Sequence, residues 1–266
     1  MKHVVFVRHL IATALLVGLV GCVSTSPTLG GSSGNTVTGA AGGANSEGKN
    51  TALESCPTPL GTLAVYEDRQ LDWWSIYQTR YPQLGSTVPV LRTMIQQSNC
   101  FVIVERGMAM AAMNTERDLM NSGELREGSS FGKGQMVAAD YTVSPSIQFS
   151  EQGTGGIGGL IGGWAGVVAG GMSSNEAATT LLLIDNRSGV QISAAVGNAK
   201  NWDFGLFGGL FAGVFAGAGG YSNTPEGKVI TAAFADSYNN MVKSLRNYKA
   251  QDVQGGLGKG GTLKVN

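Results

Sequence analysis

Histidine, the usual proton carrier of an active site, occurs only twice in this chain. His3 and His9 both lie in the first ten residues, in a stretch that reads below as a cleaved leader. Without them no imidazole remains. That excludes a Ser-His-Asp triad, a Cys-His pair and every His-ligated metal site. Gly153-Thr-Gly155-Gly-Ile-Gly158 fits a G-x-G-x-x-G string, and Glu176 follows at a suitable distance. Glycine is so dense here that chance matches are expected, and no βαβ unit follows. Gly128-Ser-Ser-Phe-Gly132-Lys133-Gly134 is one residue short of a Walker A loop and lacks a Ser or Thr after the lysine; it reads as a solvated turn. Glu105, Glu116, Asp118, Glu124 and Glu127 read as a charged face rather than as paired catalytic carboxylates. No active site, cofactor or metal site is expected, and the chain reads as a non-enzyme.

The chemistry that remains belongs to three thiols. Lys2 and Arg8 form a positive n-region, and Leu10 to Val20 form an apolar h-region too short to span a bilayer. Leu19-Val20-Gly21-Cys22 follows. It resembles a bacterial lipobox, in which the cysteine becomes the acylated first residue. Val23 rather than Asp stands next, which resembles the outer-membrane default. Cleavage of residues 1–21 removes two of the eighteen Lys+Arg and none of the eighteen Asp+Glu, so acids exceed bases by two. No basic excess exists to neutralise a phosphate backbone, and nucleic acid is not an expected partner. Cys56 and Cys100 are the other two thiols. An oxidising periplasm allows them to pair, and two buried free thiols fit the sequence equally well.

Several elements must position these groups. Residues 22–55 are rich in Ser, Thr, Gly and Asn and read as a flexible tether. Thr62–Tyr66 reads as a strand. Residues 67–86 read as a loop with local order, its Trp73, Trp74, Tyr77 and Tyr81 serving packing. From Thr87, a candidate cap, Val90, Leu91, Met94 and Ile95 follow helical spacing up to Asn99. Phe101–Val104 is four apolar residues in a row, the pattern of a strand buried on both faces. Glu105-Arg106-Gly107 opens a helix with a stripe of methionines, Met108, Met110, Met113 and Met120, suited to an adaptable core or an oligomer contact. Further strands are expected over 137–149 and 179–184, the latter turning at Asn186–Gly189 into a hairpin partner over 190–196. Thr224-Pro225-Glu226 starts a long helix with an apolar stripe of Ile230, Phe234, Tyr238, Met241, Leu245 and Tyr248. Residues 250–266 read as a disordered tail.

Glycine contributes 41 of the 266 residues, about twice its usual share of roughly 7%. Two stretches concentrate it without any charge, 155–172 and 204–221. Gly155, Gly159 and Gly163 recur at every fourth position, as do Gly205, Gly209, Gly213 and Gly217. Such spacing lets two backbones approach closely, as small residues do in membranes. In water so many glycines make a poor helix. Large apolar side chains stand between them: Leu160, Ile161 and Trp164 in the first, and Phe207, Phe211 and Phe215 in the second. These residues read as membrane or oligomer contacts; the alternative is a pair of flexible low-complexity loops. The polar–apolar alternation of a barrel strand is absent.

From about Leu60 to Tyr248 the order of elements resembles the curli secretion lipoprotein family, the CsgG/HfaB group. Gly61-Thr-Leu-Ala-Val-Tyr66 resembles its first strand. Phe101-Val-Ile-Val-Glu105-Arg106, with Met113 and Glu116-Arg117, resembles its strand–ER–helix segment. Ala138-Ala-Asp140-Tyr141 resembles the lead-in to its next strand. Leu181 to Ile192 resembles its strand–turn–strand. The helix after Tyr221 and the lipobox match in place. The resemblance implies a periplasmic α/β domain, residues 56–249, tethered by lipid to the outer membrane and assembled into a homo-oligomeric ring. In the family, two inserts per subunit give hairpins to a shared transmembrane barrel. The ring exports amyloid or adhesin subunits without a nucleotide.

The expectation is therefore an α/β (α+β) fold, a mixed sheet flanked by helices, with two apolar inserts that the resemblance makes membrane hairpins. The expected function is that of an oligomeric secretion subunit for curli-like or adhesin fibre subunits, acting with accessory secretion proteins. The alternative is a structural envelope lipoprotein that oligomerises through its inserts without a channel.

Overall fold

The computed structural model describes residues 50–129, 132–149, 176–200, 221 and 224–248. Among them are five strands: β1 (Thr62–Val65), β2 (Val102–Ile103), β3 (Tyr141–Gln148), β4 (Glu176–Asp185) and β5 (Gln191–Lys200). Four helices accompany them: α1 (Asp72–Arg80), α2 (Val88–Ser98), α3 (Ala109–Ser122) and α4 (Pro225–Arg246). The strands form one mixed sheet in the order β2-β1-β3-β4-β5. β1 runs parallel to β2 and β3, whereas β3, β4 and β5 are antiparallel. This is the expected α/β architecture. Cys22 and residues 155–172 and 204–220 lie outside the described residues, as do 1–49 and 249–266.

The sheet's long strands alternate as a half-covered antiparallel sheet should. On β5, Ser193, Ala195, Gly197 and Ala199 are buried while Ala194, Val196, Asn198 and Lys200 are exposed. The buried side carries α4. Thr224 caps this helix by accepting a hydrogen bond from the Gly227 amide at 3.1 Å. Pro225 loses no bond in the first turn, and Glu226 meets the positive helix end. Ile230, Phe234, Tyr238 and Met241 are buried, each worth roughly 1.5–3 kcal/mol as an upper figure. Contact with β5 is close enough to require glycine. A Cβ on Gly197 would lie 2.1 Å from the Ser237 nitrogen and 2.2 Å from the Ala233 carbonyl oxygen.

Pro145 sits inside β3. The Val143 carbonyl accepts from the Tyr66 amide, so the backbone groups of Val143 and Pro145 face the β1 side of β3. β1 pairs no further than Val143. The absent N–H of Pro145 is the donor that would carry the parallel ladder on, and the pairing of β1 with β3 ends there.

Three expectations fail locally. Residues 72–80 are a helix, not loop: Trp73 and Tyr77, one turn apart, are both buried in the core. Tertiary packing thus overrides the modest helix propensity of the aromatics. The second strand is only two residues long, lies at the sheet edge and is half-buried, because β1 is its single neighbour. Its flanks Phe101 and Val104 are the buried residues. Thr87 precedes α2 but makes no cap bond with its side chain. Its hydroxyl donates instead to Glu67, and Ser86 Oγ accepts from the Val88 amide at 3.2 Å.

The expected tether also ends earlier than residue 55. Asn239 of α4 accepts from the Glu54 amide and donates to the Ala52 carbonyl. Glu54 pairs with Arg246 and Lys243. Cys56 and Cys100 are joined in a disulfide with Cα atoms 4.8 Å apart. Arg246 donates to the Ser55 carbonyl and lies 3.2 Å from Cys56 Sγ. The segment approaching β1 is thereby fastened to both α2 and the C-terminal turn of α4.

α3 is the exception to this packing. None of its residues is buried, and Met108 at its start is 89% exposed. Of the two readings of the methionine stripe, the core is the wrong one for this chain alone.

Candidate functional site at the feet of the two inserts

The first insert leaves after Phe149 and returns at Glu176; the second leaves after Lys200 and returns at Tyr221. Register places three of these feet together. Gln148 pairs with Ala178, Ala178 with Asn198, and Glu176 with Lys200. Both inserts thus emerge from one end of the sheet. Glu176 and Lys200 add an ion pair at 2.9 Å, which solvent exposure limits to roughly 0–1 kcal/mol.

Two of the four feet, Phe149 and Tyr221, meet α1. Tyr81 lies against Phe149 with ring centroids 6.4 Å apart, and the Arg80 guanidinium stands 5.2 Å from the Phe149 centroid. One turn earlier, the buried hydroxyls of Tyr77 and Tyr221 meet. Both also reach the Gly85 carbonyl, at 2.9 and 3.2 Å. Two hydroxyl protons serve two acceptors here: one donates to the carbonyl and the other to the neighbouring hydroxyl. Burial pushes both phenols well above their ordinary range, so both stay neutral and keep these protons.

A buried carboxylate shapes the loop that offers Gly85. The Glu67 side chain is 3% exposed and accepts from Ser86 Oγ, the Thr87 amide, Thr87 Oγ1 and Arg69. It sits at the positive N-terminal end of α2, where a negative charge is favoured. Gly85 itself has φ +69°, a left-handed value that glycine adopts without cost. Trp73 and Trp74 meet edge to face at 5.5 Å, and Arg69 stacks 4.9 Å from Trp74. Chemically this corner positions side chains: its carboxylate and hydroxyls are taken up by hydrogen bonds to one another and to the backbone.

Cys22, Leu160, Ile161, Trp164, Phe207, Phe211 and Phe215 fall outside the described residues, so only the feet of their segments are placed. The aromatic run does serve packing, as its reading holds. Missed in the sequence were the roles of Glu67, Phe149 and Tyr221. A signal for the helix existed: Trp73, Tyr77 and Tyr81 recur every fourth residue, with Asp72 in the first turn and Arg80 in the last. The acids set aside earlier do not converge. Glu105 pairs with Arg92, and Glu116, Asp118, Glu124 and Glu127 are exposed. Among the described residues no group of three or more His, Cys, Asp or Glu could hold a metal ion, and no helix is long and apolar enough to cross a membrane.

Among solved structures, the chain resembles the PelC dodecamer of Paraburkholderia phytofirmans. Identity is 12%, coverage is 76% of this chain and 96% of that chain, and the TM-score is 0.26. A point variant of the same PelC dodecamer matches at 13% identity over 70% of this chain and 96% of that chain, with a TM-score of 0.22. No curated protein matches the chain in sequence. The family model of the curli production assembly/transport component CsgG matches residues 67–262, well over half of the chain, and the chain belongs to the CsgG family.

Proposed function

We propose that this protein is a non-enzymatic outer-membrane lipoprotein, anchored through Cys22, whose periplasmic domain assembles into a homo-oligomeric ring. The ring exports fibre subunits of the curli or adhesin type. Membership of the CsgG family, described as a curli production assembly/transport component, supports the secretion role. One observation carries the membrane part: both uncharged glycine-rich inserts leave the same end of one sheet, their feet in adjacent register. Two segments can enter one bilayer from one rigid domain only if they start from the same end. The unburied α3, with half-exposed Met110, Met113 and Met120, supplies a surface for a neighbouring copy.

Electron microscopy of detergent-extracted, full-length protein tests the assembly; rings with a lumen are expected. Planar-bilayer recording tests the pore, and steady conductance steps are expected. Rings without conductance favour the second reading, a structural envelope lipoprotein whose inserts pack as glycine-lined pairs. That reading draws on the missing polar–apolar alternation of the inserts. Cross-linking that finds only monomers in intact membranes overturns both.

A further inference from the structure

We infer that helix α1 couples the two inserts, holding the outgoing foot of the first and the returning foot of the second in one rigid bracket. Phe149 and Tyr221 are distant in sequence and belong to different inserts, yet each is held by the same nine-residue helix or its cap. Tyr81 and Arg80 take Phe149; Tyr77 takes Tyr221. The Tyr77 and Tyr81 rings also touch, with centroids 6.1 Å apart. Contact is therefore continuous from Phe149 through Tyr81 and Tyr77 to Tyr221. The remaining feet are joined separately by Glu176 and Lys200. The four feet are thus linked in series: Tyr221 to Phe149 through α1, Phe149 to Glu176 through the pairing of β3 with β4, and Glu176 to Lys200 directly.

The bracket is built to resist displacement. Trp73 and Tyr77 root α1 in the core. Glu67 fixes the loop that presents the Gly85 carbonyl to both hydroxyls. A shift of either foot disturbs Tyr81 or Tyr77, and the two rings touch each other. Tyr77 and Tyr81 are positioning residues, and they set the two inserts as a unit rather than one at a time. The coupling deepens the proposed function, because it matters only if the inserts are the working parts.

Hydrogen exchange on the full-length, lipid-bearing protein tests the coupling. Tyr221→Phe removes one hydroxyl at the second insert's foot. It should raise exchange about fivefold at the first insert's foot, residues 146–149, as the loss of one shared hydrogen bond would. Phe149→Ala should raise exchange by a similar factor in the first turn of α4, next to Tyr221. Ser98→Ala breaks an unrelated buried bond to Tyr238 and should leave both feet unchanged. If Phe149→Ala unfolds the corner, Arg80→Gln removes only the cation beside the ring and asks the same question. Variants that loosen only their own foot overturn the coupling. Absence of rings and conductance with cross-foot exchange intact would overturn the proposed function and leave the coupling standing. The reverse pattern would do the opposite.

Discussion

Helices α3 and α4 carry the same message in sequence and meet opposite fates. Both place apolar residues at helical spacing. α4 buries Ile230, Phe234, Tyr238 and Met241 against the sheet; α3 buries nothing. What separates them is the partner, not the pattern. β4 and β5 offer α4 a surface of small residues, with Ala195, Gly197 and Ala199 in a row, and a helix backbone can settle directly onto it. α4 is then tied to the segment ahead of β1, through Asn239 to the Glu54 amide and through Arg246 to the Glu54 carboxylate and the Cys56 sulfur. Among the described residues no strand presents such a surface to α3. A helix of fourteen residues is marginal in isolation, so its exposed methionines gain most by meeting a second molecule.

The largest change should come from the tie that closes the domain around α4. Cys56→Ser together with Cys100→Ser opens a cross-link spanning 44 residues. The double variant should lose about 4 kcal/mol, read as a lower urea midpoint than the oxidised wild type. An unchanged midpoint would mean that the joined segment adds nothing to the domain. Gly197→Ala attacks the seat of α4 itself. The added methyl meets helix backbone rather than a side chain that could turn aside, and about 3 kcal/mol should be lost in thermal unfolding. A neutral outcome would mean that the helix does not sit where described.

Alkali tests the same helix by charge. Tyr238 of α4 is buried beside Ser98, and burial raises its phenol well above the ordinary value. Burial acts likewise on Tyr77 and Tyr221. A raised folded value means that the folded chain holds these protons longer than the unfolded chain does. Stability is full below the ordinary tyrosine range, about 10, and declines as pH climbs above it toward the folded values. Unfolding followed by near-ultraviolet circular dichroism from neutrality to about pH 12 should show this decline. Tyr238→Phe should make it shallower.

Smaller effects belong to α3. A hydrogen bond from Arg92 holds the Glu105 carboxyl, just ahead of α3, below the usual range. Its contribution is present above the ordinary carboxylate range, near about 4, and lost as pH falls through the lowered folded value. Glu105→Gln should cost about 1 kcal/mol or less at neutral pH, and the gap to wild type should close in acid. Smallest of all, replacing Met110, Met113 and Met120 with serine should move the unfolding midpoint of the dispersed domain by no more than about 0.5 kcal/mol. The same variant should lower the yield of cross-linked assemblies. A large loss of stability in the dispersed domain would return α3 to the core.

Much of the fold is legible in the residues themselves. The cap Thr224, the following proline and the stripe from Ile230 to Met241 announce α4 unaided. The turn at Asn186–Gly189 announces the β4–β5 hairpin, where Gly189 takes φ +70°. Local signals suffice there because capping, turn chemistry and periodicity act over a few residues. Legibility fails where distant residues decide. Residues 72–80 become a helix because Trp73 and Tyr77 find the core, and Phe101–Val104 shrinks to an edge strand because only β1 lies beside it. The candidate site fails for the same reason. Phe149, Tyr77 and Tyr221 have nothing in common until the chain is folded.

Composition and spacing by themselves determined that both histidines lie within the first ten residues, that the chain carries two uncharged glycine-rich inserts, and that helices and strands alternate around them. Those properties depend on side-chain type and near neighbours. Only the tertiary structure decided that both inserts start from one end of one sheet, that a single short helix grips a foot of each, and that one amphipathic helix is buried while another waits uncovered. These depend on strand register and on which surfaces meet, and meetings between residues far apart in the chain leave no mark in the local pattern.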